Sequence, residues 1–319
     1  MKSCLVTISD AQFSVATEVL LYSFHKYNPG FDGDVIVICD ELPEADRQRL
    51  RAVSPVRFEA PDAVLRQAVD RLKSEVPRLS DIYRRLFSLE IFRLTEYDRV
   101  VYLDSDIYCA RDISALFSSR EPLLACPDGF TYSDWIQEKL GKVGERERSV
   151  RYGRTFSQSF NAGVLSIGSP VLGTASYEAL LDWLRPERWH SIAGDKFSDQ
   201  LLMNVHFDSV FTPLDACYNY MVFLEGYQKS WEDVSSLDAR LIHFAGSLKP
   251  WFDYDPELLA RRAPQFIKFF DAWRELLEQA RSGADPAADL NAMGDRYRRQ
   301  QQWIAQYNSQ PIEPTGRVY

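Results

Sequence analysis

Among five cysteines, Cys4, Cys39, Cys109, Cys126 and Cys217, this 319-residue chain has no CxxC pair, which argues against a cysteine zinc site. Four of the five lie in or beside apolar stretches, where a free thiol behaves as a small core residue, so a reducing compartment is expected. No apolar run approaches the length of a membrane span: the first, Cys4 to Ile8, is interrupted at once by Ser9 and Asp10. The expectation is a soluble, cytoplasmic protein. Positive charge is not in excess either. The net charge of −9 argues against a general nucleic-acid binder, whose footprint should be basic, although a local basic patch is compatible with it. No internal repeat is present.

What is present is ordinary for a globular protein, with 45% hydrophobic and 26% charged residues. The length suits one catalytic domain built on a single sheet, residues 1–255, followed by a helical extension, 256–319. Short apolar runs alternate with helical periodicity. Strands are expected at Cys4–Ile8, Val35–Cys39 and Val56–Phe58, with helices at Thr17–Tyr27, from Pro43, and at Asp62–Lys73, the pattern of a doubly wound sheet. A helix from Asp81 to Leu94 precedes the next strand. Further strands are expected at Ala162–Ile167, near Val210 and at Leu241–Phe244, with helices at Ser176–Leu184 and Ser198–His206. Gly129 to Gly153 reads as a long loop, Pro256 to Ala280 as a helix broken near Pro264, and Ser282 to Asp289 as a linker. The tail carries Arg296, Tyr297, Arg298, Arg299, Trp303 and Tyr307. Basic and aromatic residues on a terminal helix suit an anionic membrane surface, or a helix docked by its aromatic side chains.

Chemistry concentrates first at Arg99-Val-Val-Tyr-Leu-Asp104-Ser-Asp106. A buried strand ending in two carboxylates delivers them to the carboxyl edge of the sheet, where ligands of open α/β sheets gather. Their hard oxygens suit Mg²⁺ or Mn²⁺. The competing expectation is a turn in which both carboxylates cap backbone amides. A second element, His243-Phe-Ala-Gly246-Ser-Leu-Lys249-Pro-Trp251, ends another apolar strand. His243 can add a nitrogen ligand, Gly246 lets the backbone approach a pyrophosphate, and Lys249 brings a point charge to the same oxygens. On the helical stripe of Ile82, Leu86, Leu89 and Phe92, Arg85 is expected to face inward, toward an anion or a local ion pair.

These elements, with Phe160-Asn-Ala-Gly-Val-Leu165 and Ser198-Asp-Gln-Leu-Leu-Met-Asn204 between them, resemble in content and order the retaining GT-A glycosyltransferases of family 8 over residues 3 to 252. That family includes bacterial lipopolysaccharide galactosyl- and glucosyltransferases and glycogenin. The resemblance implies a GT-A fold, a Rossmann-like nucleotide-binding mixed sheet flanked by helices. It also implies a UDP-sugar donor, UDP-glucose or UDP-galactose, and Mn²⁺ or Mg²⁺ held by Asp104, Asp106 and His243. Thr7, Ile8, Asp10 and Phe13 resemble the uridine-binding loop, although Asp10 can equally cap the following turn. Tyr83-Arg-Arg85-Leu86 resembles the pattern that sets an arginine against the donor. Ser105, Asn161, Ala162, Gly163, Gly246 and Lys249 are implied to bind the donor.

By the same resemblance, Asp199 binds a sugar hydroxyl and Gln200 faces the anomeric carbon. Asp199 can also simply cap its helix. Leu201 departs from relatives that carry a third polar residue there, which puts the choice of sugar in doubt. The implied activity is transfer of a hexose to a glycan hydroxyl, with a bacterial lipopolysaccharide or surface polysaccharide as first acceptor. Alternatives are a glycogenin-like self-glycosylating initiator and a sugar-nucleotide-binding module without turnover. Trp135, Trp183, Trp189 and Trp231 can offer stacking faces to an acceptor or pack the core. His25, His190 and His206 lack ligand-like partners.

Overall fold

The computed structural model describes residues 1–128, 150–151, 154–155, 159–192, 198–207 and 210–282. The first half alternates strand and helix: β1 (Ser3–Ile8), α1 (Ser14–Tyr27), β2 (Asp34–Ile38), α2 (Glu44–Val53), β3 (Val56–Glu59) and α3 (Ala63–Glu75). Asp62 caps α3 by accepting from the Val64 amide, and α2 begins just after Pro43, whose fixed φ suits a helix entry.

After two 3₁₀ segments, 77–81 and 83–93, come β4 (Arg99–Leu103), β5 (Ile107–Cys109), α4 (Ser114–Ser118) and β6 (Leu123–Pro127). A two-residue ribbon, β7 (Val150–Arg151) with β8 (Arg154–Thr155), precedes β9 (Phe160–Gly168). Then follow α5 (Thr174–Trp183), α6 (Pro186–Trp189), α7 (Ser198–His206), β10 (Thr212–Pro213), β11 (Tyr220–Met221), α8 (Glu225–Glu232), β12 (Leu241–His243), α9 (Pro256–Arg262) and α10 (Pro264–Ala280). The last two helices break at Ala263, with Pro264 at the first turn of the second.

Seven strands form the main sheet in the order β10-β6-β9-β4-β1-β2-β3. β4, β1, β2 and β3 run parallel, and β9 runs antiparallel between β4 and β6. The sheet is therefore mixed. Alternation along the strands buries both faces: Leu5, Val35, Val37, Val101 and Leu103 pack one side, while Cys4, Val6, Ile36, Ile38, Val100 and Tyr102 pack the other. That double burial is why these strands read as unbroken apolar runs.

β5 leaves the main sheet to join β11 and β12. On this small sheet lies a separate core of Tyr220, Met221, Ile242 and Phe244 with Phe266, Phe269, Phe270 and Trp273 of α10, reaching Val19 of α1. The extension thus packs on the body.

One expectation of secondary structure needs correction. The segment before β4 is a 3₁₀ helix over Tyr83–Arg93 rather than an α-helix from Asp81. Every side chain from Leu86 to Phe92 in it is buried, so packing on both sides replaces the one-sided stripe. The short strand expected near Val210 is β10, two residues on, where Thr212 and Pro213 pair with β6, and Val210 itself is exposed. Trp183 and Trp189 are buried, as core packing requires. All five cysteines are free, and four of them are buried. Among the described residues no helix is long and apolar enough to cross a membrane. Trp135, the Trp231 side chain, the tail from 290 and most of the 129–153 and 282–289 segments lie outside the described residues.

Candidate active site

Strand direction gathers the site. β4 and β6 end, and β9 begins, at one edge of the sheet, so Asp104, Asp128 and Asn161 come together there. The Asp104 amide donates to Gly163 O at 2.8 Å, continuing the β4–β9 ladder one residue past the strand. The chain then turns tightly, with Ile107 N donating to Asp104 O at 3.2 Å, and re-enters as β5. β5 pairs antiparallel with β12 in a register that sets His243 opposite Ile107. An imidazole more than 130 residues away is thereby set beside the two carboxylates.

His243 Nε2 lies 3.2 Å from Asp106 Oδ1 and 3.7 Å from Asp104 Oδ2. Ligand atoms of the three residues all fall within 4.8 Å of one another, and they are the one such group among the described residues. Two carboxylates and an imidazole nitrogen converging on one point are chemically matched to a divalent cation. Without one, they repel. Burial, then the Asp106 charge, raises the Asp104 carboxyl above its ordinary range, against the opposing pull of His243 and the Tyr102 hydroxyl. Tyr102 donates to Asp104 Oδ1 at 2.7 Å, so Asp104 is oriented by a side chain two residues earlier on its own strand.

Asp106 differs in state. Burial alone would raise its carboxyl, but Lys249, followed by His243, holds it well below the usual carboxylate range. The Lys249 ammonium bonds Asp106 Oδ2 directly and donates to Phe244 O at 2.6 Å. Lys249 therefore rests on a ligand carboxylate. Phe13 and Trp251 flank it, their rings edge to face at 5.4 Å with the ammonium 5.9 Å and 6.0 Å from the two ring centres. The first loop thus joins the site through Phe13. Gly246 has a φ of +93°, a conformation that favours glycine, so its role here is to turn the chain between His243 and Lys249.

Gly163 leaves room for the constellation. A Cβ there would lie 2.5 Å from His243 Cε1 and 2.8 Å from Asp104 Oδ2. Beside it, Asn161 Nδ2 donates to Gln200 Oε1 at 3.0 Å, and the Ala162 amide donates to the same oxygen at 3.4 Å. α7 is pinned to β9 by Asn204, which accepts from Phe160 N at 2.9 Å and donates to Phe160 O at 2.8 Å. Asp199, in the first turn of α7, is buried and accepts from Ser88 Oγ at 3.4 Å.

Other anticipated residues lie on β1, on the first loop, beside Asp104 and ahead of β4. Asp10 caps its turn, accepting from Gln12 N at 2.8 Å and Phe13 N at 2.9 Å, and its other oxygen lies 3.8 Å from Arg84. Thr7 is fully buried in β1, its hydroxyl without a hydrogen-bond partner, while Ile8 and Ser105 are half-buried. Arg85 corrects the inward reading: it is exposed, and its neighbour Arg84 is the half-buried one. The 3₁₀ geometry rotates Arg85 off the Leu86, Leu89 and Phe92 face. Its charge still reaches Asp104, whose carboxyl it lowers.

Three site residues were not anticipated: Tyr102, Asn219 and Asp128. Asp128 follows the buried strand β6, the same strand-end signal that marked Asp104. Asn219 is a lone amide in an apolar stretch, and nothing local distinguishes it.

Comparison with known proteins gives the context. The chain is 26% identical over 203 residues to galactinol synthase 5 of Arabidopsis thaliana, covering 60% of this chain and 57% of that protein. It is also 26% identical over 176 residues to glycogenin of Neurospora crassa, covering 54% of this chain but 20% of that one. The chain spans about half the length of curated relatives such as the galactinol synthases. Among solved structures, galactosyltransferase LgtC in complex with donor and acceptor sugar analogues matches with a TM-score of 0.60 at 18% identity. That match covers 86% of this chain and 95% of the other, a likeness that shows the GT-A fold. The profile described as "Glycosyl transferase family 8" matches residues 4–255, most of the chain, and the protein belongs to that family.

Proposed function

We propose that this protein is a metal-dependent, retaining glycosyltransferase that moves glucose or galactose from a UDP-sugar to a glycan hydroxyl. The observation that carries the reading is the convergence of Asp104, Asp106 and His243 next to Gln200 and the Asn161–Gly163 edge of β9. Asp104, Asp106 and His243 would hold Mn²⁺ or Mg²⁺. A divalent cation supplies positive charge to a diphosphate whose negative charge grows as the bond to the sugar breaks.

The chain's own residues do the rest. Lys249 adds a second positive charge beside that diphosphate, and Arg85, exposed near Asp104, can follow an incoming anion. Gln200 is a neutral amide and a poor nucleophile. Its carbonyl oxygen already accepts two N–H groups, which weighs further against a covalent adduct there. Those bonds favour a fixed dipole that stabilises an oxocarbenium-like centre during front-face transfer. Asp199, at the same helix end, would take a sugar hydroxyl.

The proposed acceptor is a bacterial lipopolysaccharide or surface polysaccharide, reached in the cytoplasm, with the basic, aromatic tail resting on the inner face of the membrane. Five free cysteines support the compartment. A glycogenin-like reading, with a tyrosine of the chain as acceptor, is separated by intact mass after incubation with donor alone.

The experiment is binding and hydrolysis of a panel of nucleotide sugars with Mn²⁺, Mg²⁺ and EDTA, with Asp106→Asn as control. Metal-dependent release of UDP from one sugar, lost in the control, is expected. Should no nucleotide sugar bind under any metal condition, the transferase reading fails.

A further inference from the structure

A chain of side-chain amides runs through the site from the imidazole to the far carboxylate, and its hydrogen-bond polarity can be worked out from two backbone groups. Asn161 Oδ1 lies 3.0 Å from the Gly163 amide, which can only donate, so that atom is an oxygen. The Asn219 atom 2.9 Å from it must then be Nδ2, which leaves Asn219 Oδ1 facing His243 Nδ1 at 2.8 Å. An amide oxygen can only accept. His243 Nδ1 therefore carries a proton, so the neutral form of the imidazole keeps its lone pair on Nε2, the nitrogen facing Asp104 and Asp106.

The other direction follows in the same way. Gln200 accepts from the Ala162 amide at 3.4 Å and from Asn161 Nδ2 at 3.0 Å, so Gln200 Nε2 turns to Asp128 Oδ2 at 3.4 Å. Asp128 is itself held by the Ser159 hydroxyl at 2.6 Å. Every donor from His243 to Gln200 thus points one way, ending on a carboxylate. Asn219 is fully buried and its backbone carbonyl accepts from the buried Gln228 at 3.0 Å, while the orientation of its side-chain amide is set through Asn161 by the Gly163 amide.

We propose that Asn219 is a positioning residue with two separable tasks: its oxygen selects the His243 tautomer able to bind a metal through Nε2, and its N–H₂ group, through Asn161, fixes the orientation of the Gln200 amide. The first task follows the general rule that the hydrogen bond at one ring nitrogen sets which nitrogen is free to ligate. The second couples the cation end of the site to the sugar end without any shared ligand. The proposal rests on the metal-dependent transfer proposed above.

Two variants divide the tasks. Asn219→Asp keeps an acceptor for the His243 Nδ1–H but has no donor for Asn161 Oδ1. Asn219→Leu removes both. Long-range ¹H–¹⁵N spectra of the metal-free full chain report the tautomer directly, and four histidines make assignment by single substitutions practical. Recorded at a pH where the imidazole is neutral, wild type and Asn219→Asp should show Nδ1 protonated and Nε2 bare, whereas Asn219→Leu should show a mixture. Mn²⁺ affinity should stay within about threefold of wild type in Asn219→Asp and fall roughly 10- to 100-fold in Asn219→Leu. In Asn219→Asp, kcat for sugar release should fall about 10-fold or more while Mn²⁺ affinity holds.

A neutral wild-type imidazole protonated on Nε2, an Asn219→Leu protein with unchanged tautomer and affinity, or an Asn219→Asp protein with unchanged kcat each overturns the proposal. If Asn219→Leu does not melt cooperatively, the wild-type tautomer and the Asn219→Asp split decide it. A wild-type protein that binds no Mn²⁺ and releases no UDP removes the transferase reading instead, and the tautomer in the metal-free chain still tests the relay.

Discussion

Glu18 of α1 accepts two hydrogen bonds from Arg281, just past the end of α10, with Nε to Oε1 at 2.9 Å and Nη2 to Oε2 at 2.7 Å. Glu18 is almost fully buried and also faces Arg49 of α2 at 3.8 Å. This fork ties α10 to α1, the first helix of the alternating half. Replacing Arg281 by Met strands most of a buried carboxylate, and a loss of about 2 kcal/mol is expected, below the full cost of a wholly buried pair because Arg281 is partly exposed. Chemical denaturation of the variant measures it; unchanged stability would show that α10 is held by its apolar face alone.

The two metal-site aspartates should respond in opposite directions when their charge is removed in EDTA. Burial and the Asp106 charge both oppose a charge on Asp104, so Asp104→Asn relieves the metal-free protein and should raise Tm by about 1 °C, a small effect because the side chain is 36% exposed and screened by solvent. Asp106→Asn leaves the buried Lys249 ammonium without its carboxylate and should cost about 3 kcal/mol. Both variants should lose Mn²⁺ binding. Thermal melts at neutral pH with and without Mn²⁺ test both statements, and equal shifts in the two variants would contradict the charge assignment.

Gly163→Ala puts a methyl group into the space between His243 and Asp104. Overpacking of about 1–3 kcal/mol is expected, together with at least about a 10-fold loss of Mn²⁺ affinity as the ligands are pushed apart. Titration of Mn²⁺ by electron paramagnetic resonance reads the second effect independently of turnover. An alanine protein that binds Mn²⁺ as tightly as wild type would mean that the ligands close elsewhere.

Burial holds the imidazoles of His25 and His206 below their ordinary range. A lowered histidine binds its proton less readily in the folded chain than in the unfolded one. Its contribution to stability is complete above about pH 6.5 and is lost as pH falls through the folded value. Tm should therefore decline between pH 7 and 5, and His25→Gln, which keeps a polar partner for Ser54 Oγ, should flatten part of that slope. Melting curves across this range decide it; an unaltered slope in both His25→Gln and His206→Gln would remove histidine as the cause.

Much of the site was legible because its parts are local. A buried strand that ends in acids announces itself in a short window, as Arg99 to Asp106 does, and so does His243 at the end of another apolar run. The stretch before β4 was not legible in the same way. Apolar residues on several sides of Tyr83–Arg93 satisfy an α-helical stripe and a buried 3₁₀ helix equally, and only the surrounding core selects the second, turning Arg85 outward. Asn219 was invisible for a different reason: a single amide has meaning only through the partners that meet it.

By itself the sequence determined the alternation of strands and helices, the apolar runs that must be buried on both faces, and the residue types able to hold a divalent cation. These follow from periodicity and composition within a few residues of each position. The tertiary structure decided what depends on register and crossing: the antiparallel insertion of β9 between β4 and β6, and the pairing of β5 with β12 that sets His243 opposite Ile107. It also decided the direction of the hydrogen bonds from His243 to Asp128, because backbone amides of one strand, brought against side chains from β6, α7 and the segment before β11, leave each amide group a single orientation.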